Sequence, residues 1–217
     1  MNGSAMESTS TPTDRSWYIT ERWQQFEGEA RANQLRIIAI GSFYLIHLWN
    51  HFSAQIDDQF HLLVTLLAMA WCLMAFTIHF ALRARVFPAW LPYASTLGDV
   101  VLLTSVLCIS TGARSPLVLG YFLIISLAAL RFSLPLVRFA TITALIGYIC
   151  LLGCAKWPET FNLSGAIDQT VPRYHQLMTL AGIALGGIII GQIVRRVRDM
   201  AQDYARRAVN NSDDVRV

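Results

Sequence analysis

One acidic residue, Asp99, stands inside an apolar run that reads DVVLLTSVLCISTGARSPLVLGYFLIISLAALRF from Asp99 to Phe132. An ionised carboxylate in an apolar helix costs a few kcal/mol, so it marks a functional site or a buried charge pair. On the second reading its partner is expected to be Arg131 or Arg138. The run is broken by Ser110-Thr111-Gly112-Ala113-Arg114-Ser115-Pro116. Arg114 there could meet an anionic or carbonyl-bearing ligand. A second group is imidazole-rich. His47 and His51 are four apart and share a helical face, while His61 and His175 each open a later apolar segment from the same side. With Asp57 and Asp58 nearby, they could bind a divalent metal or respond to pH. A haem pair fits less well, because the best candidates fall at different depths, and His79 lies at the opposite end.

Each feature also has a structural reading. Gly112 can end a helix in the left-handed conformation, Ser115 can cap the next helix, and Pro116 suits its first position. A tight hairpin needs those residues whether or not it binds anything. The histidines can serve as interfacial or hydrogen-bonding groups, since ligation requires convergence in space. The four cysteines, Cys72, Cys108, Cys150 and Cys154, sit in apolar runs and read as small core residues.

The elements that must carry these residues follow from composition. Of 217 residues, 54% are hydrophobic and 14% charged, against about 25% charged in an ordinary soluble domain. This excludes disorder, collagen-like fibres and disulfide scaffolds, and the net charge of +3 does not suggest nucleic-acid binding. Six apolar segments, at about 35–55, 60–82, 93–111, 116–132, 135–155 and 175–194, predict an all-α polytopic bundle of six transmembrane helices. With the N-terminus inside, 14 of the 17 Lys and Arg residues fall on inner segments. Only Arg114, Lys156 and Arg173 fall outside, so both termini are expected in the cytoplasm. Trp90, Tyr93 and Trp157 fall near span ends, as an aromatic belt requires.

Residues 1–14 are polar and without an apolar core, so a disordered tail and no cleavable signal peptide are expected. Residues 15–34 mix aromatics and charges. Thr20 is a candidate cap, and Trp23, Phe26 and Ala30 share one face, which predicts an amphipathic helix lying at the membrane interface. Gly182, Gly186, Gly187 and Gly191 in the last span allow close helix packing, within the bundle or in a homodimer. Residues 195–217 form a basic cytoplasmic helix and tail. Val194, Val197, Ala201, Tyr204 and Ala208 there follow coiled-coil spacing, and its arginines suit anionic lipid. No extramembrane stretch is long enough for a catalytic core, and no phosphate loop, nucleophile elbow or zinc-protease motif is present, so the chain reads as a non-enzyme.

Asp99, Gly112, Ser115 and Pro116, with the apolar segment that follows, resemble the six-span membrane sensor region of RegB-like and PilS-like histidine kinases, and comparable regions that precede some diguanylate cyclases. In those regions an Asp-bearing third span ends in a Gly-Gly-x-x-Ser/Asn-Pro-Phe turn. Here Thr111 replaces the first Gly and Leu117 the Phe. The resemblance implies a sensory module of a bacterial inner membrane, with quinone as a candidate ligand. Asp99, Gly112, Arg114, Ser115 and Pro116 would contact the cue, and the last helix would drive a cytoplasmic signalling partner. The chain stops at Val217, so the output domain would belong to a separate protein, have been lost, or lie beyond a fragment. The alternative expectation is a small transporter or the membrane subunit of a quinone or haem redox complex; a third is a structural scaffold.

Overall fold

The apolar runs fold as six α-helices in a computed structural model. It describes the backbone of residues 12–54, 58–85, 88–157 and 171–214, and the side chains of 26–53, 58–85, 88–157 and 171–204. The helices are α1 (Pro12–Ala54), α2 (Asp58–Arg83), α3 (Leu91–Ile109), α4 (Gly120–Ala129), α5 (Leu134–Lys156) and α6 (Arg173–Asp214). Among the described residues no strand occurs, and the fold is all-α. Proline sets several starts. Pro92 and Pro135 occupy the first turns of α3 and α5, where a missing N–H costs nothing.

Among the described residues, four helical stretches are long and apolar enough to cross a membrane: α2, α3, α5 and the Arg173–Tyr204 part of α6. Pro116–Ala129 is a shorter apolar helix, composed of a 3-10 turn followed by α4. Their outer faces are as apolar as their inner ones. Leu73, Phe76 and Phe80 on α2, Ile142, Ile146 and Ile149 on α5, and Leu185, Ile188 and Ile189 on α6 are all exposed. A surface of that kind fits a lipid environment and not water. Cys72 and Cys150 belong to it, contrary to the expectation of core cysteines, whereas Cys154 is buried and Cys108 half-buried.

α5 lies at the centre and packs against α3, α4 and α6. It presents Ala140, Ala144, Tyr148 and Leu151, one helical face of fully buried residues, to Leu107 of α3, Tyr121 and Ile125 of α4 and Ile183 of α6. The small residues on this face let the helices approach closely. A methyl group on Gly147 would stand 2.8 Å from Val100 Cγ1 and 2.9 Å from Thr104 Oγ1. The glycines of α6 serve the same purpose inside the chain: Gly182 and Gly186 face Phe122 of α4, Gly187 faces Thr141, and Gly191 faces Leu134 of α5.

The N-terminal expectations need correction. α1 starts at Pro12 and runs 43 residues without a break, so residues 12–14 are helical and Thr20 lies within the helix instead of capping it. Residues 1–11 and the side chains of Trp17, Thr20 and Trp23 lie outside the described residues. Where side chains are described, the stretch before residue 35 packs one face against the bundle. Gly28, Glu29, Ala32, Asn33, Arg36 and Ile40 form a buried face that enters the bundle. Gly28 allows this: a methyl group there would stand 2.9 Å from the Leu130 carbonyl oxygen and 3.0 Å from Arg131 Cα. α1 therefore contacts the C-terminal end of α4 almost backbone to backbone, while packing along α2.

Candidate functional site

Two buried ion pairs join α1 to the rest of the bundle. The first involves Asp99, which is 2% exposed near the middle of α3. Its partner is Arg36 of α1, and not Arg131 or Arg138. Arg36 Nε donates to Oδ1 at 2.8 Å and to Oδ2 at 3.0 Å, and Nη2 donates to Oδ2 at 2.8 Å. Trp71 Nε1, from α2, donates to Oδ1 at 2.8 Å. The guanidinium is held in turn by Asn33, whose Oδ1 accepts from Arg36 Nη1 at 2.8 Å and whose Nδ2 donates to the Ala75 carbonyl at 3.1 Å. One cluster thus ties α1, α2 and α3, with each charge matched and the carboxylate fully engaged. Bidentate geometry of this kind offsets the desolvation of two buried charges.

The second pair lies about two helical turns away along α1. Arg131, in the turn after α4, places Nε 2.6 Å from Glu29 Oε2 and Nη2 2.8 Å from Glu29 Oε1. Both side chains are buried, at 3% and 0% exposure. Ser95 and Thr96 of α3 accept from Arg131 Nη2 and Nη1 at 3.0 and 2.8 Å, and the Pro92 carbonyl accepts from Nη1 at 3.2 Å. The Pro92 carbonyl also accepts from the Ser95 and Thr96 hydroxyls, at 3.0 and 2.8 Å. The two clusters together place a layer of polar groups, from Glu29 to Trp71, within an apolar bundle. Beside it, among Phe43, Leu103, Leu123 and Leu127, lies a void of about 30 Å³.

Part of this layer was hidden in the sequence. Asp99 and Arg131 stand out there, but Glu29, Asn33, Arg36, Trp71, Ser95 and Thr96 do not. The available signal was spacing: Glu29, Asn33 and Arg36 fall at i, i+4 and i+7, one helical stripe of polar residues entering an apolar segment. In a segment as charged as 27–36 that stripe reads as solvated surface.

The turn between α3 and α4 takes the geometry its residues favour. Gly112 has φ of 62°, a left-handed conformation open to glycine at little cost. Ser115 Oγ accepts from Leu117 N at 3.3 Å, and Pro116 begins the next helical turn. Gly112 and Ser115 are buried, while Arg114 and Pro116 are exposed. The turn and Asp99 are not brought together, since roughly 15 Å of α3 separates Asp99 from Ile109 at a rise of about 1.5 Å per residue.

The imidazoles of α1 and α2 do converge. His47 Nε2 and His61 Nδ1 share a hydrogen bond at 3.2 Å, and the rings of His51 and His61 stack at 4.0 Å between centroids. Phe60 stands edge-on to His47. His175 is placed apart, at the start of α6, with its ring against Tyr174. The three clustered rings stack on one another and do not open toward a common centre; among the described residues no group of three or more His, Cys, Asp or Glu side chains is arranged to hold a metal ion. Asp57 lies outside the described residues.

Comparison of the chain with protein-family models, curated proteins and solved structures finds no match.

Proposed function

We propose that this chain is a sensory membrane module of a bacterial inner membrane, with six spans and both ends cytoplasmic, which performs no catalytic step of its own. In this reading the apolar part of α1 and the Pro116–Ala129 helix complete the set of six. A membrane-soluble or outer-surface cue, a quinone among the candidates, shifts the packing of the bundle. The shift reaches a cytoplasmic signalling partner through α6.

One observation carries the proposal: α6 runs as a single helix from Arg173 to Asp214, 42 residues, through its apolar stretch and into a polar, arginine-rich one. A helix of that length extends about 60 Å and transmits rotation or translation as a rigid rod. Val194, on the proposed coiled-coil seam, is buried in the bundle, whereas Val197 and Tyr204 farther along it are exposed and open to a partner. One further feature supports the reading: Gly112, Ser115 and Pro116, the residues that carry the resemblance to sensor-kinase membrane regions, form the turn between α3 and α4. A transporter or redox subunit is favoured by no observation: Asp99 is fully engaged by Arg36 and Trp71, and the clustered histidines stack on one another.

The test is made in native cells. Deleting the chain, or replacing Asp99 by Asn in the full-length protein, should alter response-regulator phosphorylation or cyclic-dinucleotide levels when the quinone pool is switched between oxidised and reduced. The Asn variant should still insert in the membrane. Unchanged signalling output in the deletion strain sinks the proposal.

A further inference from the structure

α5 and α6 pack closely where Gly187 faces Thr141 and Gly191 faces Leu134. Between them they leave a groove of about 350 Å³. That volume lies within the range of ligand clefts, about 300–1,000 Å³. Its walls are apolar, formed by Leu134 and Ile142 of α5 and Ile188 of α6. Two cations stand on it, Arg138 from α5 and Arg195 from α6, with Gln192 beside them. Both arginines are exposed, and among the described residues neither has an ion-pair partner. Asp199, one turn beyond Arg195 on α6, makes none with it. No acidic residue lines the groove.

The groove is therefore amphiphilic in a defined sense. Arg138 is in the second turn of α5, and Arg195 is where the apolar part of α6 gives way to its polar part. Arg195 thus marks the polar end of the groove, at the depth where a bilayer changes from hydrocarbon to headgroup, and Arg138 stands along its length with a side chain long enough to reach toward that end. Ile142 and Ile188 continue the apolar wall beyond Arg138. A polar soluble anion would match the arginines and leave the apolar walls unfilled, and a neutral hydrocarbon would fill the walls and leave the arginines unmatched.

We infer that this groove is a binding site for an anionic phospholipid, with one acyl chain lying between α5 and α6 and the phosphate bridged by Arg138 and Arg195. Gln192 donates to the same headgroup. The lipid occupies the face of α6 just before it leaves the bundle. The site stands on the groove itself and holds whether or not the chain is a sensor.

Native mass spectrometry of the full-length protein, released from detergent after equilibration with equal amounts of phosphatidylglycerol and phosphatidylcholine, tests the inference. One arginine near an anionic headgroup contributes about fivefold in affinity, so the pair predicts a preference for phosphatidylglycerol of about thirtyfold. Replacing both arginines, as Arg138→Gln with Arg195→Gln, should reduce the preference to near unity. Both side chains are exposed, so the variant should keep its melting temperature. Gly191→Leu, which adds a side chain against Leu134, should weaken retention of both lipids alike. Equal retention of the two lipids by the unaltered protein overturns the inference, and so does a preference that survives the double substitution. Displacement of the lipid by millimolar inorganic phosphate would make the site an anion site and not a lipid site. A lipid-free dimer would mean that a second copy of the chain covers the groove.

Discussion

Replacing Asp99 by Asn removes a negative charge and almost no volume, and leaves Arg36 buried at 2% exposure with its counter-charge gone. The Asn oxygen can still accept from Trp71 Nε1, but its amide nitrogen cannot accept the second guanidinium N–H. Removing one partner of a buried pair costs about 3–5 kcal/mol; the retained acceptor places Asp99→Asn near ~3 kcal/mol, and Arg36→Met, which strands a carboxylate, near ~5 kcal/mol. The double change, Arg36→Met with Asp99→Leu, strands nothing. It should cost about 2 kcal/mol or less, because a buried pair replaced by apolar groups of similar size is often neutral or better. Closed with the single variant Asp99→Leu, which strands Arg36 at a cost of about 3–5 kcal/mol, the cycle has a coupling energy of about 6 kcal/mol or more, which arises from electrostatics in a low-dielectric layer. Reversible unfolding in lipid–detergent micelles, followed by circular dichroism for the single and double variants, measures it. Additivity within about 0.5 kcal/mol would show that Arg36 and Asp99 do not depend on one another and would refute the reasoning.

Other substitutions test other parts of the bundle. Gly28→Ala places a methyl group 2.9 Å from the Leu130 carbonyl oxygen; backbone cannot yield as a side-chain tip can, so stability should fall by about 1–3 kcal/mol in the same unfolding experiment. If α1 is displaced there, Glu29→Gln added to Gly28→Ala should cost less than it does alone. His61→Ala removes both the hydrogen bond to His47 and the stack on His51, a loss of about 1 kcal/mol. Faster amide hydrogen exchange confined to the α1 and α2 ends near residues 47–61 should report it. Arg85 holds φ of 57° in the turn after α2, so Arg85→Gly should raise stability by about 0.5–1 kcal/mol, as relief of a left-handed side chain predicts; an unchanged or lower melting temperature would argue against strain at that turn.

The apolar stretches are long and bounded by polar or helix-ending residues, so the helix positions were legible from hydropathy, within a few residues at most ends. The turn at Gly112 was legible because left-handed glycine, a capping serine and a first-turn proline act locally. The polar layer was not, and the reason is physical. Whether Glu29, Asn33 and Arg36 meet water or protein depends on what lies opposite, and Asp99, Arg131 and Trp71 come from three other parts of the chain. Proximity to the inner side suggested Arg131 for Asp99, yet Glu29 holds Arg131, which leaves Arg36 for Asp99. The same holds for the face that residues 26–34 present to the bundle. An aromatic face of Trp23, Phe26 and Ala30 was counted from hydrophobicity, while the close approach permitted by Gly28 decided which face enters the bundle. The histidines were legible as a shared face, but their stacking depends on the register between α1 and α2.

The two ion pairs also bear on how the chain is made. Arg36 is separated from Asp99 by 63 residues and Glu29 from Arg131 by 102. At a synthesis rate of about 5–20 residues per second, α1 emerges some 3–13 s before the partner of Arg36 and about 5–20 s before that of Glu29. If α1 is a span, as proposed above, Arg36 at its start opposes insertion by about 2.5–3.5 kcal/mol during that interval, and the first helix is expected to integrate only once α3 has arrived.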